Sequence, residues 1–175
     1  MRQIKVNIYN HSDLLENESM KDKVLSNWNR TPDYEWWDFV YEDAQKAGLK
    51  ITEFDLYRFK ISYENYDSMQ ESINMILNNH GKDCDTFKMA ESYQSERDSL
   101  VCKFSDGVNT DKVAEDYEIA FDDEVDELEK EYFKELSEEY LGLLTREFEY
   151  LTSDEAVMES IKCNDYEFDE DGDLV

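Results

Sequence analysis

The chain has 175 residues, of which 45 are Asp or Glu and 18 are Lys or Arg, for a formal net charge of −27. A hydrophobic share of 40% with 14% aromatic residues is enough to fill a core, which excludes a disordered acidic tail. A charge of this sign and size excludes direct nucleic-acid binding and attraction to anionic membranes, and leaves basic protein surfaces or cations as partners.

Neither the opening Met-Arg-Gln-Ile-Lys-Val nor any later run has the apolar length of a signal peptide or a membrane span. Cys84, Cys102 and Cys163 stand at no metal spacing and read as reduced thiols. A cytoplasmic protein without metal or cofactor is therefore expected.

In chain order, Ile4, Val6 and Ile8 alternate with polar residues and predict a short half-buried strand. Leu14, Leu15, Val24, Leu25 and Trp28 fit one amphipathic helix over Ser12 to Trp28. Thr31-Pro32-Asp33 has the form of a helix start, with Thr as cap and Pro at the first position. That helix would run past Trp36, Trp37, Val40, Tyr41 and Ala44 and stop at Gly48.

Leu49 to Tyr63, with Ile51, Phe54, Leu56, Tyr57, Phe59 and Ile61, reads as a central strand, bent if long. Met69, Ile73, Ile76 and Leu77 predict a helix from Asp67 to His80. Asp83 to Phe104 is its partner, with Phe87, Ala90, Tyr93, Leu100, Val101 and Phe104 inward and a turn at Ser105-Asp106-Gly107.

Asp111 to Leu151 predicts one long helix, or two in line. Its stripe is Val125, Leu128, Tyr132, Leu136, Tyr140, Leu144, Phe148 and Leu151, spaced three and four apart. Thr152-Ser153-Asp154-Glu155 has the form of a capping box and opens a short helix through Ala156, Val157 and Ile161. The chain then passes through Tyr166 to Asp173 as an edge strand or frayed tail. The expected class is α+β, mainly α: a two- or three-stranded sheet, packed helices and one long acidic helix. Residues 1–110 form a mixed scaffold, and 111–175 form an acidic helical region packed on it within one structural unit. The same apolar stripe can close a homodimer as readily as a monomer core.

Charge is uneven along the sequence. Residues 1–110 carry 20 acids and 13 bases, whereas 111–175 carry 25 acids and 5 bases. Within Asp111 to Leu151 the count is 16 acids to 4 bases. Over a helix of about 60 Å that is one net charge per roughly 5 Å, approaching the one per about 3.4 Å of a single nucleic-acid strand. Glu127, Glu131, Glu135 and Glu139 form a row four residues apart. Like charges at that spacing disfavour the helix by a few tenths of a kcal/mol each, so helix propensity does not select the row.

Two stretches resemble a family of small acidic proteins of tailed bacteriophages and prophages. One is Asn79-His80-Gly81-Lys82-Asp83-Cys84-Asp85-Thr86-Phe87. The other is Glu147-Phe148-Glu149-Tyr150-Leu151-Thr152-Ser153-Asp154-Glu155-Ala156-Val157, continued by Asn164-Asp165-Tyr166-Glu167-Phe168 and Asp171-Gly172. The resemblance covers roughly residues 35 to 175. The chain departs from it after Tyr63, where a Gly- and Gln-containing strand segment is missing. That family is functionally uncharacterised and sometimes labelled antitoxin-like; the resemblance implies a phage or prophage origin, points toward host takeover or evasion of host defence, and supplies no catalytic residues.

Other constellations read as structural. Glu167, Asp169, Asp171 and Gly172 partly match a calcium loop, but its first ligand is Glu where Asp is usual and its twelfth position would lie beyond Val175, so a polar tail is the expectation. His80 and Cys84 flank Gly81 and favour helix-end packing over a nucleophile pair or half a metal site. Trp28, Tyr34, Trp36, Trp37 and Tyr41 are mostly core, with Trp36 or Tyr34 left to anchor a partner. No nucleotide loop or hydrolase motif is present, so no enzyme is expected.

The expected function is a phage inhibitor that mimics DNA charge and blocks the DNA-binding surface of a host restriction, CRISPR or recombination-nuclease complex. Its candidate partner-binding residues are Asp122, Asp123, Glu124, Asp126, Glu127, Glu131, Glu135, Glu138 and Glu139, extended by Asp169, Glu170 and Asp171. The alternative is an antitoxin-like module that neutralises one partner through the Trp36 patch.

Overall fold

The computed structural model describes residues 7–32, 35–105 and 114–175. In order they form α1 (His11–Glu16), α2 (Glu18–Asn27), α3 (Asp38–Lys46), β1 (Leu49–Asp55), β2 (Lys60–Asn65), α4 (Met69–Asn79), α5 (Asp85–Ser105), α6 (Ala114–Leu151) and α7 (Asp154–Cys163). The class is α+β, mainly α, as the sequence predicts. The chain divides into two compact units: residues 1–36 with 146–175, and residues 37–145. The boundaries fall after Trp36 and after Thr145, away from the charge step at 110/111.

In the unit made from the chain's two ends, the single helix expected over Ser12 to Trp28 is two. Asn10 caps α1 in a capping box with Asp13, and Asn17 closes α1 and accepts from Met20 N to start α2. An Asn at that junction satisfies the new helix's free N–H groups, which a continuous helix would not need. Leu14, Met20, Val24 and Leu25 meet Val157, Ile161 and Phe168 in one core, whereas Leu15 is exposed. Trp28 packs on Tyr166 and Phe168, and Trp36 on Phe148.

Ile4 and Val6 of the expected opening strand lie outside the described residues. Beyond them Tyr9 makes an antiparallel bridge with Phe168, which bridges Leu174 in turn. Arg30 ties this unit together: its guanidinium donates to Thr152 O at 2.8 Å, Leu25 O at 3.2 Å and Asp154 Oδ1 at 2.6 Å. The predicted cap of α7 is displaced by one residue. Ser153 accepts from Ala156 N, while Thr152 donates its hydroxyl to Phe148 O at the end of α6.

In residues 37–145, α3 begins at Asp38 and not at Thr31-Pro32. Its cap position, Trp37, makes no side-chain capping bond. Asp33 and Tyr34 lie outside the described residues, and Glu35 has a left-handed backbone, φ +64°. Gly48, φ +82°, ends the helix as expected. The predicted central strand is instead the antiparallel hairpin of β1 and β2, with a register irregularity between Ile51 and Glu53. Leu56 to Phe59 make the turn, and Phe59 takes φ +50° there.

Ser68 and Glu71 cap α4 reciprocally. In α5, Phe87, Ala90 and Tyr93 turn inward, while Val101 is exposed. The turn expected at Asp106-Gly107 lies outside the described residues.

α6 is one helix across its described residues; Asp111 to Val113 lie outside them. It buries more than the predicted stripe. Leu128, Tyr132, Leu136, Tyr140 and Leu144 are buried, and so is a second ridge of Phe133, Ser137 and Leu141. The helix has neighbours on several sides: on the stripe, Tyr132 meets Tyr93 of α5 and Ser72 of α4 and Tyr140 meets Asp43 of α3, while Ser137 of the second ridge bonds Tyr63 of β2. Phe148, placed on the stripe by its spacing, is exposed.

Candidate functional site

Helix geometry decides which carboxylates of α6 share a face. At 100° per residue, Glu127, Glu131, Glu135 and Glu138 lie within one sector of about 80°. All four are exposed. They climb about 16 Å along the axis, at 1.5 Å per residue. Glu139 is half-buried at the edge of this sector, and Glu124 is half-buried one turn before it.

The other predicted residues do not join this face. Asp122 and Asp126 stand nine residues before Glu131 and Glu135, two and a half turns away, and so point from the opposite side of the helix. Asp123 is exposed and lies between the two. Asp169, Glu170 and Asp171 belong to the other compact unit, where the Asp169 and Glu170 carboxylates are hydrogen-bonded and Asp171 is exposed and bonds through its backbone. Asp169 Oδ1 accepts from the Asp171 and Asp173 N–H groups at 2.9 and 3.0 Å. Asn7 Nδ2 donates to a Glu170 carboxylate oxygen, and Lys23 Nζ donates to Glu170 O at 2.9 Å. The tail is a hydrogen-bonded turn closed by Gly172, φ +87°, whose Cα sits so near the Lys23 and Val24 backbone that a Cβ would crowd it.

The row is partly neutralised by its neighbours. Lys130 pairs with Glu127 at 2.7 Å, Lys134 with Glu138 at 3.9 Å and Lys103 of α5 with Glu124 at 2.8 Å. These pairs are exposed, and each stabilises by no more than about 1 kcal/mol. Tyr93 of α5 donates to Glu135 Oε2 at 2.8 Å. Burial, this bond and the charges of Glu135, Glu131 and Glu96 together push the Tyr93 hydroxyl well above its ordinary range. It therefore remains a donor that orients Glu135. Tyr93, Glu131, Lys134, Glu135, Glu138 and Glu139 surround a depression of about 420 Å³.

The His80–Cys84 segment is built differently from a nucleophile pair. The His80 ring contacts Thr86 Oγ1 through Nδ1 at 2.8 Å and faces Asp43 Oδ2 through Nε2 at 3.7 Å. Asp43 also accepts the Tyr140 hydroxyl at 3.0 Å. Burial, and then the Asp43 charge, hold Tyr140 far above its usual range, so it stays protonated. The line Thr86–His80–Asp43–Tyr140 joins α3, the C-terminal cap of α4, α5 and α6. Within it the Thr86 hydroxyl is buried. Cys84 is exposed and joined to His80 by no hydrogen bond among the described residues.

No group of three or more His, Cys, Asp or Glu among the described residues is arranged to hold a metal ion. No described helix is long and apolar enough to cross a membrane. Of the aromatic residues expected around Trp36, Trp28 packs on Tyr166 and Phe168 and Trp36 on Phe148, while Trp37 and Tyr41 pack on Phe54.

Tyr93, Lys103 and the α5 wall that flanks the acidic row leave no signal in the spacing of α6 alone. Lys130 and Lys134 were readable as partners from their spacing to Glu127 and Glu138. Tyr93 and Lys103 required knowing that α5 packs beside α6. Comparison of the chain with known protein families, curated proteins and solved structures finds no match.

Proposed function

We propose that this chain is a non-enzymatic inhibitor that acts as a protein polyanion, occupying a basic DNA-handling surface of a bacterial defence or recombination complex and excluding DNA from it. The observation that supports this reading is the exposed row Glu127, Glu131, Glu135 and Glu138 on one face of a 38-residue helix. α6 carries 15 acids and 3 bases over about 57 Å, again one net charge per roughly 5 Å. Anchored side chains keep that charge in place, so less is lost to ordering on binding than with a flexible acidic tail. The resemblance to acidic phage proteins suggests the setting, a host cytoplasm under infection.

The test begins with capture of a partner from bacterial lysate and asks whether the captured protein's binding to duplex DNA is lost when this chain is added. About four contacts of phosphate type predict roughly hundredfold weaker inhibition between about 50 and 200 mM salt. Glu127→Lys, Glu131→Lys, Glu135→Lys and Glu138→Lys combined should abolish inhibition while leaving the helical circular-dichroism spectrum intact. If the fourfold variant inhibits as well as the parent, the polyanion reading is wrong.

One observation favours a second reading, an antitoxin-like interaction module. The hairpin tip holds Tyr57 at 94% and Phe59 at 70% exposure, with Phe59 in a left-handed conformation that disfavours its side chain. Salt-insensitive binding that is lost in Tyr57→Ala would support it over charge mimicry.

A further inference from the structure

The carboxylate row is one wall of a groove. α5 and α6 enclose a trough of about 680 Å³. Leu100 and Leu128 lie in its floor, with Ser92, Ser95 and Ser99 along the α5 side. Ser95 and Ser99 donate their hydroxyls to Glu91 O and Ser95 O, four residues back in their own helix. What these two serines offer the trough is therefore mostly hydrocarbon. The rim is acidic on both sides, with Glu96 from α5 and Asp123, Glu124, Glu127 and Glu131 from α6. Glu131 also borders the depression that continues along α6 to Glu139.

We infer that this trough seats a basic amphipathic helix of the partner protein, an inference that rests on the polyanion reading and names the segment recognised. Pure charge mimicry of a nucleic-acid backbone needs no apolar floor. Leu100 and Leu128 are matched by an occupant that brings an apolar stripe, and the flanking carboxylates by lysine or arginine on both sides of that stripe. A third helix laid against two parallel walls makes the ridge-into-groove contacts that side chains spaced three and four apart provide. The run from Asp123 to Glu139 measures about 24 Å, the length of a helix of about 16 residues.

The experiment uses the whole chain and two fluorescent peptides of about 16 residues, identical in composition. In one, leucines recur at i, i+3, i+4 and i+7 among lysines; in the other, the same residues are shuffled so that no apolar face forms. The ordered peptide should bind about tenfold more tightly than the shuffled one, as expected when an anchor stripe enters a pocket. Ser99→Arg and, separately, Ser95→Arg should remove that difference, because each places bulk and a competing cation in the trough at an exposed position, with the fold checked by circular dichroism.

Equal binding of the two peptides would overturn the groove inference and leave the polyanion reading standing. No binding of either at low salt would overturn both. A preference for the ordered peptide that survives both arginine variants would place the helix elsewhere and also overturn the inference.

Discussion

At the scale of single residues, buried tyrosine hydroxyls organise the unit formed by residues 37–145. Ser72 has one proton and gives it to Ala47 O at 2.5 Å, so the contact at 2.7 Å between Ser72 and Tyr132 must use the Tyr132 proton. Burial pushes that hydroxyl up to about 12 from its ordinary 10. The unfolded chain then ionises first as pH rises, and the folded state loses its advantage between pH 10 and 12. The loss amounts to roughly 2–3 kcal/mol for this one group. Tyr93 and Tyr140, raised for the same first cause, add to it in the same direction. Urea denaturation at pH 9, 10, 11 and 12 should show stability falling steeply, and the fall should be shallower in Tyr132→Phe. An unchanged slope in that variant would mean that Tyr132 is not the group being titrated.

At the scale of elements, local chemistry is most evident at helix starts. Ser68 accepts from Glu71 N, and Glu71 returns bonds to Ser68 N and Oγ. These bonds hold the Glu71 carboxyl below its usual range, so the cap persists into mild acid and is lost as pH falls through that lowered value. Ser68→Ala should destabilise by about 1 kcal/mol, seen as an earlier urea midpoint at pH 7. The difference from the parent should shrink at a pH low enough to protonate Glu71.

Much of this architecture was legible in the sequence. The spacing of Met69, Ile73 and Ile76 in α4, and of Leu128 through Leu144 in α6, placed those helices and their inner faces. The hairpin was not legible, because Leu56-Tyr57-Arg58-Phe59 contains no Gly, Pro, Asn or Asp to announce a turn, and Phe59 adopts the positive φ that one of those would normally supply. The break at Asn17 was missed because periodicity is blind to a cap that lies between two helices of similar phase. For the site, four-residue spacing revealed Glu127, Glu131 and Glu135, but its next member, Glu139, is half-buried, and Glu138 completes the exposed face. Acid density alone gave no face, so Asp122 and Asp126 were grouped with residues on the far side of the helix. The trough's Leu100 and Leu128 come together only through the pairing of α5 with α6, which neither helix encodes alone.

At the scale of the whole molecule, the charge step seen along the sequence does not separate the compact units. Residues 1–36 with 146–175 hold 17 acids and 7 bases, a net −10 over 66 residues. Residues 37–145 hold 28 acids and 11 bases, a net −17 over 109 residues. Both units are thus equally burdened per residue, and both should resist compaction through self-repulsion. Raising salt from about 0.02 to 0.3 M shortens the screening length from about 20 Å to about 6 Å and should stabilise the fold by on the order of 1 kcal/mol. Urea midpoints at the two salt concentrations measure this. A midpoint that fails to rise would mean that the carboxylates are already balanced by their surroundings. This effect opposes the one expected for the partner complex, so one titration series separates folding from binding.

The pairing of chain ends also bears on how the protein is made. Leu14, Met20, Val24 and Leu25 are covered by Val157, Ile161 and Phe168, yet the 109 residues of 37–145 are synthesised between them. During translation, the middle unit is complete while the first helices still lack the segment that buries their apolar sides. Those four side chains then lack the residues that cover them in the finished fold. Closure of the end unit waits for α7 and the turn at Gly172 to leave the ribosome.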